Sequence, residues 1–241
     1  MSVILVTGSS RGIGFGIAEA FASQGGTVIL NARQDEAQLS AAISNLREKY
    51  KGNVMGYIAD LADYSAAANL FRQIEADYGG IDVVVNNAGA SYFGLFSDMS
   101  QEQILKVFAD NLLTTVNTSH LAVPYIRAAK GCIINITSVW GVVGASCEVM
   151  YSTAKAGIIG FTKALAKELA PCGVRVNAIA CGAFDTRMNA RLSPEERADF
   201  TNGIPMSRFG NPSEVGDLAV FLASNQASYM TGQVIGLDGG L

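Results

Sequence analysis

The chain has 241 residues, 49% hydrophobic and 16% charged, with a formal net charge of −4 and a sequence pI near 5.0. Low charge with high apolar content excludes a disordered chain, and the acidic balance lacks the basic footprint of a nucleic-acid binder. The single histidine, His120, excludes His-rich metal sites and argues against Ser-His-Asp chemistry, so another residue must move protons.

The opening Met1-Ser2-Val3-Ile4-Leu5-Val6-Thr7-Gly8 has no basic segment and no small-residue cleavage site, so no secretory signal is expected. No apolar run approaches the ~18–20 residues that span a bilayer, and the expectation is a cytoplasmic protein without a membrane partner. Short apolar runs then alternate with longer amphipathic stretches. Strands are predicted at Val3–Thr7, Thr27–Asn31, Asn53–Ile58, Ile81–Asn86, Cys132–Thr137, Arg175–Ala180 and Gln233–Leu237. Several are continuous Val/Ile runs, the pattern of parallel strands covered on both faces.

Helices are predicted between them at about Gly12–Gln24, Asp35–Tyr50, Ser65–Tyr78, Gln101–Ala129 and Tyr151–Ala170. Ser100 with Gln103 and Ser193 with Glu196 read as capping boxes, and Pro194 suits a first helical position. Gly25-Gly26, Gly79-Gly80 and Gly173 are placed to stop helices. Such alternation specifies a single-domain, Rossmann-like, doubly wound α/β sheet of about seven parallel strands with helices on both faces. The segment from about Cys181 to Pro212 departs from the alternation and suits a substrate-covering lid. The cysteines at 132, 147, 172 and 181 show neither C-x-x-C nor zinc-ligand spacing. They read as small core residues or free thiols, and no metal site is expected.

Thr7-Gly8-Ser9-Ser10-Arg11-Gly12-Ile13-Gly14 follows the first strand and opens the first helix. Glycines there let the backbone turn tightly and approach a pyrophosphate, whose charge meets the helix N-terminus. Gly8, Ser10, Arg11, Gly12, Ile13 and Gly14 are therefore candidate dinucleotide contacts. The second strand ends in Asn31-Ala32-Arg33, where NAD sites carry an acid and NADP sites supply Arg to a 2′-phosphate. Arg33 and Arg11 predict NADPH, with Asp35 and Glu36 left as first-turn helix residues.

Tyr151-Ser152-Thr153-Ala154-Lys155 sets a phenol and an ammonium one helical turn apart. A nearby Lys⁺ is expected to lower a tyrosine pKa from ~10 and make Tyr151 a general acid. Ser138 ends the fifth strand, Asn86-Asn87-Ala88-Gly89 ends the fourth, and Asn111 lies in the following helix. In open α/β sheets, ligands bind at these carboxyl edges.

Taken together, Thr7–Gly14, Asn86–Gly89, Asn111, Ser138, Tyr151 and Lys155 resemble the short-chain dehydrogenase/reductases, over essentially the whole chain. Within that family the likeness is strongest to its bacterial 3-oxoacyl-(acyl-carrier-protein) reductases. The resemblance implies NADPH-dependent reduction of a carbonyl to a secondary alcohol, foremost in a 3-oxoacyl thioester. A hydroxysteroid, a polyol or a protein-borne ketone remains an alternative substrate, and a non-catalytic dinucleotide sensor an alternative role.

It further implies that Ser138 polarises the carbonyl and Tyr151 protonates its oxygen. Lys155 would act on the tyrosine and the nicotinamide ribose, and Asn111 would hold a water linking Lys155 to solvent. Asp60 and Leu61 would flank the adenine. Asn87, Ala88 and Gly89 would line the cofactor path, and Gly182, Phe184 and Thr186 would meet its carboxamide end. A homotetramer built on the two long helices is implied as well.

Two departures from the family pattern stand out. Cys181-Gly182 replaces Pro-Gly, most simply as a small buried substitute, with a redox-sensing thiol as the alternative. The family's carrier-docking cations are matched by Arg127 and Lys130, but Pro171-Cys172-Gly173 offers none.

Overall fold

The computed structural model describes residues 2–186 and 193–241. Seven parallel strands form one sheet in the order β3-β2-β1-β4-β5-β6-β7. They are β1 (Val3–Val6), β2 (Thr27–Ala32), β3 (Val54–Ile58), β4 (Val83–Asn86), β5 (Cys132–Ser138), β6 (Arg175–Cys181) and β7 (Val234–Leu237). The order reverses after β3: β4 adds beside β1 on the opposite edge, and a crevice opens beyond the carboxyl ends of β1 and β4.

The missing polar alternation has its cause in two cores. Ile4 and Val6 of β1 pack with Ile17 and Phe21 on one face, while Leu5 between them packs with Leu70, Ile74 and Ile126 on the other. The first face is covered by α1 (Gly12–Ser23), α2 (Glu36–Tyr50) and, at the end of the chain, α9 (Pro212–Ala223). The second is covered by α3 (Tyr64–Tyr78), α5 (Thr114–Ala129) and α7 (Val149–Leu169).

Both predicted capping boxes are present, at Ser100 before α4 (Gln101–Phe108) and at Ser193 before α8 (Pro194–Asn202). Gly25, Gly79 and Gly173 take positive φ angles where helices end, as expected.

Three features differ from the sequence expectation. The helix predicted as Gln101–Ala129 is not continuous: a π turn over Ala109–Leu113 separates α4 from α5. The apolar periodicity runs through this turn, so the wider coil is invisible to it. A short α6 (Trp140–Val143) precedes α7, and α9 was not foreseen, although Asn211 and Glu214 form its N-terminal capping box with Pro212 at the first helical position. Residues 187–192, the centre of the expected lid, lie outside the described residues.

Candidate active site

The glycine loop and the end of β4 are stitched into one platform. Thr7 Oγ1 accepts from the backbone N–H groups of Asn87 and Ala88, both at 2.9 Å, and Asn87 Nδ2 donates to the carbonyls of Thr7 and Gly8 at 2.9 and 3.0 Å. Gly8 and Gly12 have φ of 59° and 57°, a left-handed conformation that a side chain would strain. Asn31, at the end of β2, braces the platform from the side. Its Oδ1 accepts from Gly8 N at 3.3 Å and its Nδ2 donates to Ala59 O at 3.1 Å. Sequence reasoning did not place Asn31 in the site, though a buried polar residue ending an apolar strand was the available signal.

Two adjoining cavities meet over this platform, of about 590 and 360 Å³. They share Gly8, Arg11, Asn87, Gly89 and Ala90. Every residue proposed from sequence for catalysis or cofactor contact lines one or both. Ser10, Arg33, Asp60, Leu61 and Ala88 face the smaller; Gly12, Ile13, Gly14, Gly182, Phe184 and Thr186 face the larger.

A dinucleotide fits this surface on its donor chemistry. Helices α2, α3, α4, α8 and α9 each begin with a side chain that accepts from their first N–H groups. Helix α1 has no side-chain cap at Arg11 and no acid in its first turn, so its N-terminal donors and positive dipole face the cavity. Asp35 caps α2 by accepting from Gln38 N at 3.0 Å, and Asp60 accepts from Ala62 N at 3.0 Å. These two carboxylates of the smaller cavity thus serve the backbone. Arg11 Nη1 donates to Gln38 Oε1 at 3.1 Å and Arg33 Nη1 to Asp110 Oδ1 at 2.9 Å. Gln38 and Asp110 were not singled out by the sequence.

The larger cavity ends among Ser138, Tyr151, Lys155 and Asn111. Lys155, 4% exposed, is fixed twice: Nζ donates to Ile136 O at 3.1 Å, and its own carbonyl accepts from Thr137 Oγ1 at 2.8 Å. Asn111 sits inside the π turn, where Nδ2 donates to Ala90 O at 2.9 Å and Val107 O at 3.0 Å. Thr114 and Thr115 return hydroxyl hydrogen bonds to the Asn111 carbonyl at 3.0 and 3.2 Å. The turn is held open by side chains, and it aims Asn111 at the loop after β4. Gly89 keeps the space between the two polar groups, because a Cβ there would stand 2.7 Å from Asn111 Oδ1 and 3.4 Å from Lys155 Nζ.

The electrostatics correct one expectation. Burial pushes the Tyr151 phenol above the ordinary tyrosine value, with Glu148 and Cys181 adding to the rise and a hydrogen bond with Ser138 opposing it. The net direction is upward although the Lys155 ammonium lies over the ring, 5.6 Å from its centroid, where it donates to Ile136 O. Burial lowers Lys155 itself to about 8, against a smaller upward pull from Cys181. Cys181, paired in register with Ser138 at the ends of β6 and β5, is buried, and burial pushes its thiol up to about 12 despite Lys155. A protonated, enclosed thiol fits the reading as a small buried substitute.

The chain matches the family described as enoyl-(acyl carrier protein) reductase over residues 8–241. It is 43% identical to the 3-oxoacyl-[acyl-carrier-protein] reductase FabG of Chlamydia muridarum over 238 residues, which cover 98% of this chain and 96% of that one. It is 44% identical to the FabG of Aquifex aeolicus over 243 residues, covering 99% and 96%. A solved structure from Sinorhizobium meliloti 1021, assigned to the short-chain alcohol dehydrogenases, superposes with a TM-score of 0.93 at 37% identity, covering 99% of this chain and 95% of that one. With this fold and site, the chain belongs to the short-chain dehydrogenase/reductase family and is an oxidoreductase. Among the described residues, no helix is long and apolar enough to cross a membrane, and no three His, Cys, Asp or Glu side chains cluster as metal ligands.

Proposed function

We propose that the protein reduces the ketone of a 3-oxoacyl thioester to the secondary alcohol, with NADPH as reductant. The observation that carries this reading is the convergence of Ser138, Tyr151, Lys155 and Asn111 at one end of a cavity whose other end is the uncapped N-terminus of α1. NADPH bound along the platform would supply hydride to the carbonyl carbon.

Ser138 donates a hydrogen bond to the substrate oxygen and fixes it beside Tyr151. Tyr151 stays protonated across neutral pH because burial raises its pKa, so its proton is in place when negative charge develops on that oxygen. Lys155 is a cation at neutral pH, and its charge favours the phenolate that proton transfer leaves behind. Asn111, across Gly89 from Lys155, orders the water that returns a proton. Arg33 and Arg11 grip the 2′-phosphate: the Asp35 and Asp60 carboxylates are engaged with backbone, and Asp110 takes only one arm of the Arg33 guanidinium.

The relatives named as 3-oxoacyl-[acyl-carrier-protein] reductases support the substrate class. So does the rim: Ser91 lines the cavity, and the loop beyond it exposes Phe93 and Leu95 while Gly94 N bonds to Cys147 O at 2.8 Å. The one domain carries its own lid at about 181–212 and works in the cytoplasm as a homotetramer. Exposed Leu105, Leu113 and Val149 on α4, the π turn and α7 supply apolar contacts between subunits. Light scattering that gives a monomer at working concentration would remove the tetramer.

The test of function is NADPH oxidation with an acetoacetyl group on acyl carrier protein and on coenzyme A. Fast carrier-dependent turnover supports the reading. Feeble turnover with both thioesters would overturn the substrate and leave the carbonyl chemistry to other ketones.

A further inference from the structure

Asp110 has no role in the chemistry above, yet it is the partner that Arg33 holds. Arg33 is 45% exposed beyond β2, while Asp110 is 11% exposed in the π turn and lines the smaller cavity. Lys106, one turn earlier on α4, donates to both carboxylate oxygens, at 3.2 and 2.9 Å. One carboxylate thus sits between two cations, and the trio carries net positive charge at the adenosine end.

An exposed arginine loses rotamer freedom when it grips an anion, and anchoring it beforehand removes that cost. Asp110 engages only Nη1 of Arg33, leaving other donors of the guanidinium fork for a ligand. A carboxylate there would by itself repel a phosphate dianion. Lys106 cancels that repulsion. The geometry points to Asp110 as a positioning residue for cofactor selection: it holds Arg33 over the adenosine cavity, and Lys106 neutralises the holder. This inference rests on the reading of Arg33 as the 2′-phosphate contact, and Asp110 and Lys106 are additions to that reading.

The experiment is steady-state kinetics of the full chain with NADPH and with NADH, for the wild type and for Arg33→Ala, Asp110→Ala, Asp110→Asn and Lys106→Met. Thermal melting of each variant confirms that it folds, and Asp110→Asn keeps shape and one acceptor if Asp110→Ala does not. Asp110→Ala should raise the ratio of the NADPH KM to the NADH KM by about 2- to 10-fold, with kcat at saturating NADPH changing less. Asp110→Asn should recover part of that loss. Lys106→Met should raise the NADPH KM, most at low ionic strength.

A lower NADPH KM in Asp110→Ala would mean that the carboxylate competes with the phosphate, and would overturn the inference. An unchanged ratio in both Asp110 variants, beside a raised one in Arg33→Ala, would overturn it while leaving Arg33 in its role. No change in Arg33→Ala would overturn both.

Discussion

The Nζ of Lys155 lies over the Tyr151 ring, 5.6 Å from its centroid, and donates to the carbonyl of Ile136 at 3.1 Å. The ammonium is enclosed and, among the described residues, donates to one protein acceptor, and burial drops its pKa to about 8. Below that value the folded and unfolded chains both carry the proton, and the fold bears the whole cost of burying it. From about 8 to the ordinary 10.5 the folded chain releases the proton first, so stability rises with pH through that window. Lys155→Met should therefore melt several degrees higher than the wild type at neutral pH, with the gap closing toward pH 10.5. Scanning calorimetry across this range checks it; a variant less stable at neutral pH contradicts it.

Gly89 separates Asn111 from Lys155. Gly89→Ala puts a methyl group 2.7 Å from Asn111 Oδ1, which must move. Displacements of this size near a reacting centre can cost up to about 10²-fold in rate. The variant should lose kcat more than it loses affinity for NADPH, read by kinetics beside a fluorescence titration of cofactor. Wild-type kcat would show that Asn111 does not act at the position it occupies.

The thiols should separate by exposure and acidity. Burial raises Cys181 to about 12 and Cys132 to about 11, whereas Cys147 and Cys172 are half-buried. Iodoacetamide at mildly alkaline pH should label Cys147 and Cys172 first, followed by peptide mass spectrometry. Rapid labelling of Cys181 in the native protein would restore the redox-sensing alternative.

Particular residues show how far the sequence could be read. The strands were legible because β1, β4 and β5 lie between two cores and carry apolar side chains on both faces, as Leu5 between Ile4 and Val6 illustrates. The glycine loop and the Tyr151–Lys155 pair were legible because their spacing is local. The π turn was not, since it changes hydrogen bonding without breaking the apolar period, and Pro124 further along sits within α5 without ending it. Asp110, Gln38 and Asn31 enter the site through contacts between elements distant in sequence, such as the bond from Arg33 to Asp110. The capping box at Asn211 was a readable local signal for α9. The rise of the Tyr151 pKa depends on enclosure and on the nearness of Glu148 and Cys181, and the Tyr151–Lys155 spacing records neither.

The central claim is that Tyr151 delivers the proton. NADPH oxidation by the wild type and by Tyr151→Phe, with the same ketone at saturating cofactor, tests it most directly. The account predicts a fall in kcat of about 10²–10⁴-fold with NADPH binding retained, because a phenyl ring keeps the shape and loses the acid. Turnover within a few-fold of the wild type would contradict it and assign the proton to another group.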